Sequence, residues 1–413
     1  MPNIKPFRAI RPDPDHAGQL VFTSPELIVM FKNERTEEVL PPLKTILESG
    51  ARARPETPEG QAAAYADIRQ RLHDLLTREK LWQEERAGIY VYEIVHKTYR
   101  QTGIWALTAL EDYTGGAIKT HELTFADSVR RLKNYREHAG LEGSPVLLTY
   151  PPDVTINRII AETRANVNAI TMGDAEAMHK LWKIEDQKVI EQLVSAFAGI
   201  KTAYLADGHH RLASSARLAE EQRANGVPVF DTISSLYIAT DQLRIREYDR
   251  VYLPDEPIER HRLLRQMTDN FDIEQSPGNK PVRPSKLHEV GMLIQNTWYT
   301  LTPKPHTCAS ESIADALDAG ILQQQLLAPV FSVTDPGTDK RLKYFGGETA
   351  MQELLAFTRE YPSAIAFTLC PLTVQQLMAV ADAGQILPPK STWIDPKVPY
   401  GLLLYRHPVS ISV

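Results

Sequence analysis

The residues of this chain best suited to chemistry are Asp207-Gly208-His209-His210-Arg211. A strand-like run, Lys201-Thr202-Ala203-Tyr204-Leu205, precedes them, and a helix-like run from Leu212 to Asn225 follows. A strand, a tight Asp-Gly turn and a helix start carrying two imidazoles and a guanidinium make a natural anion pocket. The first turn of a helix presents backbone N–H groups with no partner inside the helix, at the positive end of its dipole. Arg211 adds a planar fork that matches phosphate or carboxylate. Gly208 lets the backbone turn sharply and a ligand come close. The plainer alternative is a helix cap with surface histidines, since Asp-Gly turns before helices are common. Two histidines and an arginine at one helix start favour the functional reading. Ser214 and Ser215 follow, either as phosphate donors or as small residues that let the helix pack closely.

Lys119-x-His121-Glu122 is the second constellation: a cation, a titratable ring and a carboxylate within four residues. In an extended segment Lys119 and His121 face one way and Glu122 the other. Glu122 is the first candidate for a general base or Mg²⁺ ligand and Asp207 the second. The alternative is an exposed polar loop. The third is Pro388-Pro389-Lys390-Ser391-Thr392, which has the end of a phosphate-binding loop without its glycines, so a P-loop is rejected. Lys390 remains a candidate anion contact, and a rigid connector is the alternative. Asp207, His209 and His210 as a hydrolase metal site are disfavoured, because neighbouring helical side chains diverge by about 100°. No dinucleotide fingerprint, zinc-protease, nucleophile-elbow or kinase-loop motif occurs.

The elements that must position these groups can be read from pattern. Ala64, Ile68, Leu72, Leu75 and Leu76 share one helical face within 61–80, after a Pro/Glu/Gly-rich loop at 55–60. Gly88–Tyr99 and Ile104–Glu111 read as a hairpin turning at Gln101-Thr102-Gly103, and Asp231–Ala239 as a strand paired with Leu243–Tyr252. Helices are expected at 125–138, 186–197, 349–360 and 373–383, and strands at 146–150, 297–301, 364–369 and 401–405. Leu326, Leu327, Phe331 and Leu342 are expected in the core, and Gly346-Gly347 at a turn or a close backbone approach. Elements interleave without regular β-α-β spacing, so the class is α+β. A Pro-rich stretch, Leu253-Pro254-Asp255-Glu256-Pro257, divides an N-terminal region, 1–253, from a C-terminal one, 254–413.

At 413 residues the chain needs more than one core. It is 43% hydrophobic and 24% charged with a net charge of −6, so no global basic field exists to hold nucleic acid. The two cysteines, Cys308 and Cys370, are too few for a disulfide framework and suit a cytoplasmic protein. No apolar leader and no membrane-length apolar run is seen.

Taken in order, Lys5-Pro6-Phe7-Arg8-Ala9, Tyr90-Val91-Tyr92, Lys119-Thr120-His121-Glu122, Ala206–Arg211, Asp335–Arg341 and Met378–Gly384 with Pro388–Thr392 resemble a widespread bacterial and archaeal family of poorly established function. More distantly, the D-G-H-H-R segment resembles the phosphate-binding motif of the ParB/sulfiredoxin-like superfamily, which includes free-serine kinases. That resemblance implies a ParB/sulfiredoxin-like nucleotide-binding core with additional α+β structure. It implies that Gly208, His209, His210 and Arg211 hold the phosphates of ADP or ATP, with Mg²⁺. The activity it implies is phosphoryl transfer to a small hydroxyl-bearing metabolite such as serine. The rival is a non-enzymatic ParB-like nucleotide-binding regulator. On this reading Glu122, His121 and Asp207 are catalytic, and Lys119 and Lys390 join the phosphate contacts. Partners are the nucleotide and a small-molecule substrate; homo-oligomerisation is left open. Two departures stand out. Thr23-Ser24-Pro25-Glu26-Leu27 replaces an acidic Pro-Pro-Tyr-Asp-like segment, with Glu26 as the candidate substitute. A histidine stands where sulfiredoxin needs its cysteine, which removes sulfinic-acid reduction.

Overall fold

A computed structural model of the chain describes residues 1–21, 58–173, 177–395 and 397–407. The segment 23–27, the loop residues 55–57 and the side chain of Ala64 lie outside the described residues. The fold is mixed α+β with several sheets. It forms two compact units. The first comprises Met1–Lys119, Thr124–Leu243 and Pro396–Val413; the second comprises Thr120–Leu123 and Arg244–Asp395.

The first unit is built on a sheet ordered Ile118–Lys119, Ala203–Asp207, Val146–Tyr150, Thr232–Ala239, Arg100–Ala109, Ile89–His96, Ala177–Ile184 and Ile170–Gly173, with Ile4–Lys5 added along Arg100–Ala109. Val146–Tyr150 and Thr232–Ala239 are buried at every position, which explains their nearly unbroken apolar or small-residue sequences. The hairpin of 89–109 is present, but it turns at 97–99. Gln101-Thr102-Gly103 lies inside the second strand. Gly103 is there for close approach, since a Cβ would stand 2.4 Å from the Tyr237 carbonyl oxygen. On the helix Pro58–Thr77, Ile68, Leu72 and Leu75 are buried on one face, against Ile10, Leu81, Leu141 and Leu404.

The expected pairing of Asp231–Ala239 with Leu243–Tyr252 does not form. Thr232–Ala239 lies between Arg100–Ala109 and Val146–Tyr150. Tyr248–Tyr252 instead pairs with Leu342–Gly346 and Ile365–Leu369 in the second unit. The boundary therefore falls at 243/244 rather than after Leu253, and the chain returns to the first unit after Asp395. The strand expected at 401–405 shrinks to Tyr405–Arg406, paired with Leu141–Glu142.

The second unit carries an antiparallel sheet ordered Phe271–Gln275, Thr297–Pro303, Val290–Ile294, Ile365–Leu369, Tyr248–Tyr252 and Leu342–Gly346. Its period-two alternation fills two cores. Val290, Met292, Ile365 and Phe367 meet Leu326, Leu327 and Phe331 on one side, while Leu293, Ala366, Val251 and Phe345 meet Met351 and Leu354 on the other. Leu326, Leu327, Phe331 and Leu342 are buried as expected, and the Trp393 ring lies against Gly346 and Gly347 as a close approach.

Candidate anion-binding site

One residue, Gly208, joins the strand Ala203–Asp207 to the helix His209–Ala224. Its φ of 98° lies in the left-handed region that side chains disfavour. A Cβ here would stand 2.8 Å from Arg211 Nη2 and 2.9 Å from Val146 Cγ1. The backbone therefore requires glycine, and the guanidinium folds into the space its missing Cβ leaves. A register shift between Leu205 and Asp207, opposite Leu148 and Leu147, marks a β-bulge, which re-aims the last side chain of the strand. The helix holds its place through Leu212, Ser215, Ala219 and Gln222, a buried stripe at three- and four-residue spacing.

Asp207 sits between two cations. Its Oδ1 accepts from Lys397 Nζ at 2.7 Å and its Oδ2 from Arg211 Nη2 at 2.9 Å. Arg211 Nη2 also donates to the Pro145 carbonyl at 3.0 Å, and Nη1 reaches the Tyr400 hydroxyl at 3.5 Å. Arg211 Nε is out of water and bonded to no atom of the described residues. These groups, with Ser144, Leu147 and Val398, line a cavity of about 80 Å³, room for several waters or a small anion. The corner is open: the side chains of Asp207, Arg211 and Lys397 keep 35%, 24% and 24% of their exposure.

Burial alone would raise the Asp207 carboxyl. Lys397 and then Arg211 outweigh it and hold the group well below the usual carboxylate range. A carboxylate held so low is a poor proton acceptor, and both oxygens are already engaged. It suits the anchoring of two cations better than the base or metal-ligand role expected of it. One carboxylate faces two cations and a helix N-terminus, so the corner carries net positive charge.

The histidines serve this corner indirectly. His209 is buried at 5% exposure, and His210 Nε2 accepts from the Phe125 N–H at 3.0 Å while its ring stacks on Phe125 at 5.5 Å. His210 thereby fixes the start of the helix Ala126–Ala139. The Ser214 and Ser215 hydroxyls, buried, donate back to the Arg211 carbonyl at 2.9 and 2.6 Å. They brace the helix turn that carries Arg211 and are not free to serve a phosphate. The first bond of the helix runs from Leu212 N–H to the Gly208 carbonyl, which leaves the N–H groups of residues 209–211 without a partner within the helix.

A family model described as a protein of unknown function (DUF1015) matches residues 4–320. The chain belongs to this family. No curated protein matches it. Among solved structures, C-terminally truncated SbnI from Staphylococcus aureus is similar at 12% identity and a TM-score of 0.38, over 70% of this chain and 82% of that one. A free serine kinase in complex with AMP is similar at 11% and 0.35, over 70% and 86%. A conserved hypothetical protein from Pyrococcus furiosus is similar at 11% and 0.36, over 73% and 94%.

In this DUF1015 chain the expected site residues divide between the two units. Lys119 lies in the first, on the edge strand beside Ala203–Asp207, in register with Tyr204. His121, Glu122 and Lys390 belong to the second. There the carbonyl of buried His121 accepts at 2.9 Å from the N–H of Leu387, the residue before P-P-K-S-T. Sequence reading missed Lys397 and Tyr400, which lie 190 and 189 residues from their partners. The available signal was the stiff run Pro396-Lys397-Val398-Pro399-Tyr400.

Gly208→Ala is expected to cost about 1–3 kcal/mol through its backbone conformation and to push the guanidinium aside. Denaturant unfolding and ADP titration of the same variant check both effects. Wild-type values in both would remove the tight fit from the account.

Proposed function

We propose that this DUF1015 protein is a nucleotide-dependent phosphotransferase whose first unit seats the phosphates of ADP or ATP at Gly208 and the start of the helix His209–Ala224. The observation that carries the reading is the open, net-positive corner formed by Arg211, Lys397 and the helix N-terminus. Such a corner stabilises charge on phosphate oxygens both at rest and as it develops during transfer. Transfer would form a P–O bond to the hydroxyl oxygen of a small metabolite and break the bridging P–O bond, with the electron pair leaving on the nucleotide. Among the described residues no group of three or more His, Cys, Asp or Glu could hold a metal. Mg²⁺ would accordingly ride on the phosphates, as it does where few protein carboxylates are offered.

Calorimetric titration with ADP and ATP tests the binding step, and an assay for phosphorylated products over a panel of hydroxyl metabolites tests the transfer. Arg211→Ala should weaken nucleotide binding by about 10- to 100-fold, the scale of a lost charge-assisted contact. No nucleotide binding by the wild type ends the reading. Binding without any product supports the ParB-like regulator instead. Glu122→Gln in the same assay tests whether that carboxylate is the base.

A further inference from the structure

Arg250 is the most deeply buried cation of the second unit, at 1% exposure on the strand Tyr248–Tyr252. A buried guanidinium is costly unless an anion answers it. Here every acceptor it reaches is neutral. Nη1 donates to the Tyr248 carbonyl at 3.3 Å, Nη2 donates to Ser391 Oγ at 3.4 Å, and the group lies 5.7 Å from the Tyr344 ring. Among the described residues no carboxylate stands within ion-pair distance of it. The neighbouring Asp249 accepts from the Leu369 N–H at 3.1 Å, and burial pushes its carboxyl up to about 7, so it answers Arg250 only in part.

The segment against this cation is the P-P-K-S-T motif, through Ser391. Lys390 is exposed and holds a φ of 58°, a left-handed conformation unusual for lysine. Its Nζ lies 5.9 Å from the Tyr248 ring, again without an acid. Ser391 Oγ donates to the Pro388 carbonyl at 2.6 Å, which pins the turn. Two cations and a strained, proline-stiffened backbone thus converge, and the neighbouring acid, Asp249, is tied to the Leu369 N–H. Strain of this kind persists where a site needs it.

We infer that the Lys390–Ser391 turn, with Arg250 beneath it, is a second anion site, one that takes the phosphate group of a small phosphorylated molecule. Lys390 would touch the oxygens, Ser391, its hydroxyl committed to the Pro388 carbonyl, would hold the turn, and Arg250 would supply field from below. The site lies within the second unit, so it stands or falls independently of nucleotide binding at Arg211.

The test is titration of the full chain with inorganic phosphate, followed by tryptophan fluorescence. Trp393, 5.5 Å from Tyr248, is the local reporter. The background is Arg211→Ala, which disables the first-unit corner. Saturable binding is expected to survive in that background. Adding Lys390→Ala should weaken it by about tenfold, a fair factor for one charge-assisted contact, and Arg250→Met should weaken it further. Lys390 is exposed, so its loss leaves the fold intact even if Arg250→Met does not fold. Loss of all phosphate binding in Arg211→Ala alone, or unchanged binding on adding Lys390→Ala, overturns the inference. ADP titration of the wild-type chain judges the first-unit reading separately.

Discussion

Lys397→Ala should weaken ADP binding by about 10- to 100-fold while leaving the fold close to wild type, since one charge-assisted phosphate contact is lost and the partner is partly exposed. The lysine keeps about a quarter of its side chain accessible and lies 2.7 Å from Asp207 Oδ1. Its removal also frees half of the clamp on Asp207, so that carboxylate turns more of its negative charge toward an incoming phosphate. Both effects act in the same direction. The converse variant separates positioning from catalysis. Asp207→Asn keeps the shape, removes the charge that neutralises Arg211 and Lys397, and leaves the corner more positive. On electrostatic grounds it should bind nucleotide as tightly as wild type or tighter. Binding persists in either role, so the product assay decides: product formation survives in Asp207→Asn if the carboxylate only anchors the cations and vanishes if it is the base. Titration and product assay on the two variants therefore assign Asp207. ADP affinity unchanged in Lys397→Ala would show that the lysine anchors Asp207 and nothing more.

What was legible in the sequence was local. Asp207-Gly208 at a strand–helix junction, the buried run Val146–Tyr150 and the helical stripe Ile68-Leu72-Leu75 are each written within a few residues, and periodicity reports them directly. The errors share one cause: long-range pairing. Gln101-Thr102-Gly103 looked like a turn because glycine serves turns and close packing equally, and only the approach of Tyr237 decides between them. Leu243–Tyr252 looked like the partner of Asp231–Ala239 because neighbours in sequence usually pair. The central place beside Thr232–Ala239 was already filled by Arg100–Ala109 and Val146–Tyr150. Lys397 was invisible for the same reason. Nothing near residue 207 announces a cation supplied from the far end of the chain, and a lone lysine in a proline-rich run has no periodicity to betray it.

That returning segment makes a second strong prediction, this one about stability. Glu142, 6% exposed, lies two residues before the Ser144 of the cavity wall. Its Oε1 stands 2.8 Å from Arg136 Nη1 and is also bonded by His407 Nε2, and its Oε2 accepts from the Ser234 N–H at 2.9 Å. Burial works against this carboxylate, but Arg136 and then His407 hold its pKa below the usual range. Burial also lowers His407, against the pull of Glu142, so the ring is neutral at pH 7 and donates through Nε2. Glu142→Gln keeps the shape but leaves the buried Arg136 cation unanswered. The expected loss is about 3–5 kcal/mol, against about 1 kcal/mol for Glu221→Gln at the half-buried Lys133 pair. Urea unfolding, with amide exchange at Ser234 as the local readout, measures it. Both groups titrate lower in the folded chain than in the unfolded one, so the unfolded chain gains protons first as the pH falls. The stability they contribute is complete above about pH 6.5 and declines through the imidazole range and then the carboxylate range. His407→Gln retains a donor for Glu142 without the titration, so it should flatten the decline between pH 7 and 5 and leave the later, carboxylate part intact. An unflattened slope in His407→Gln would mean that the imidazole takes no part in the acid sensitivity of the first unit, and that Arg136 alone keeps Glu142 ionised.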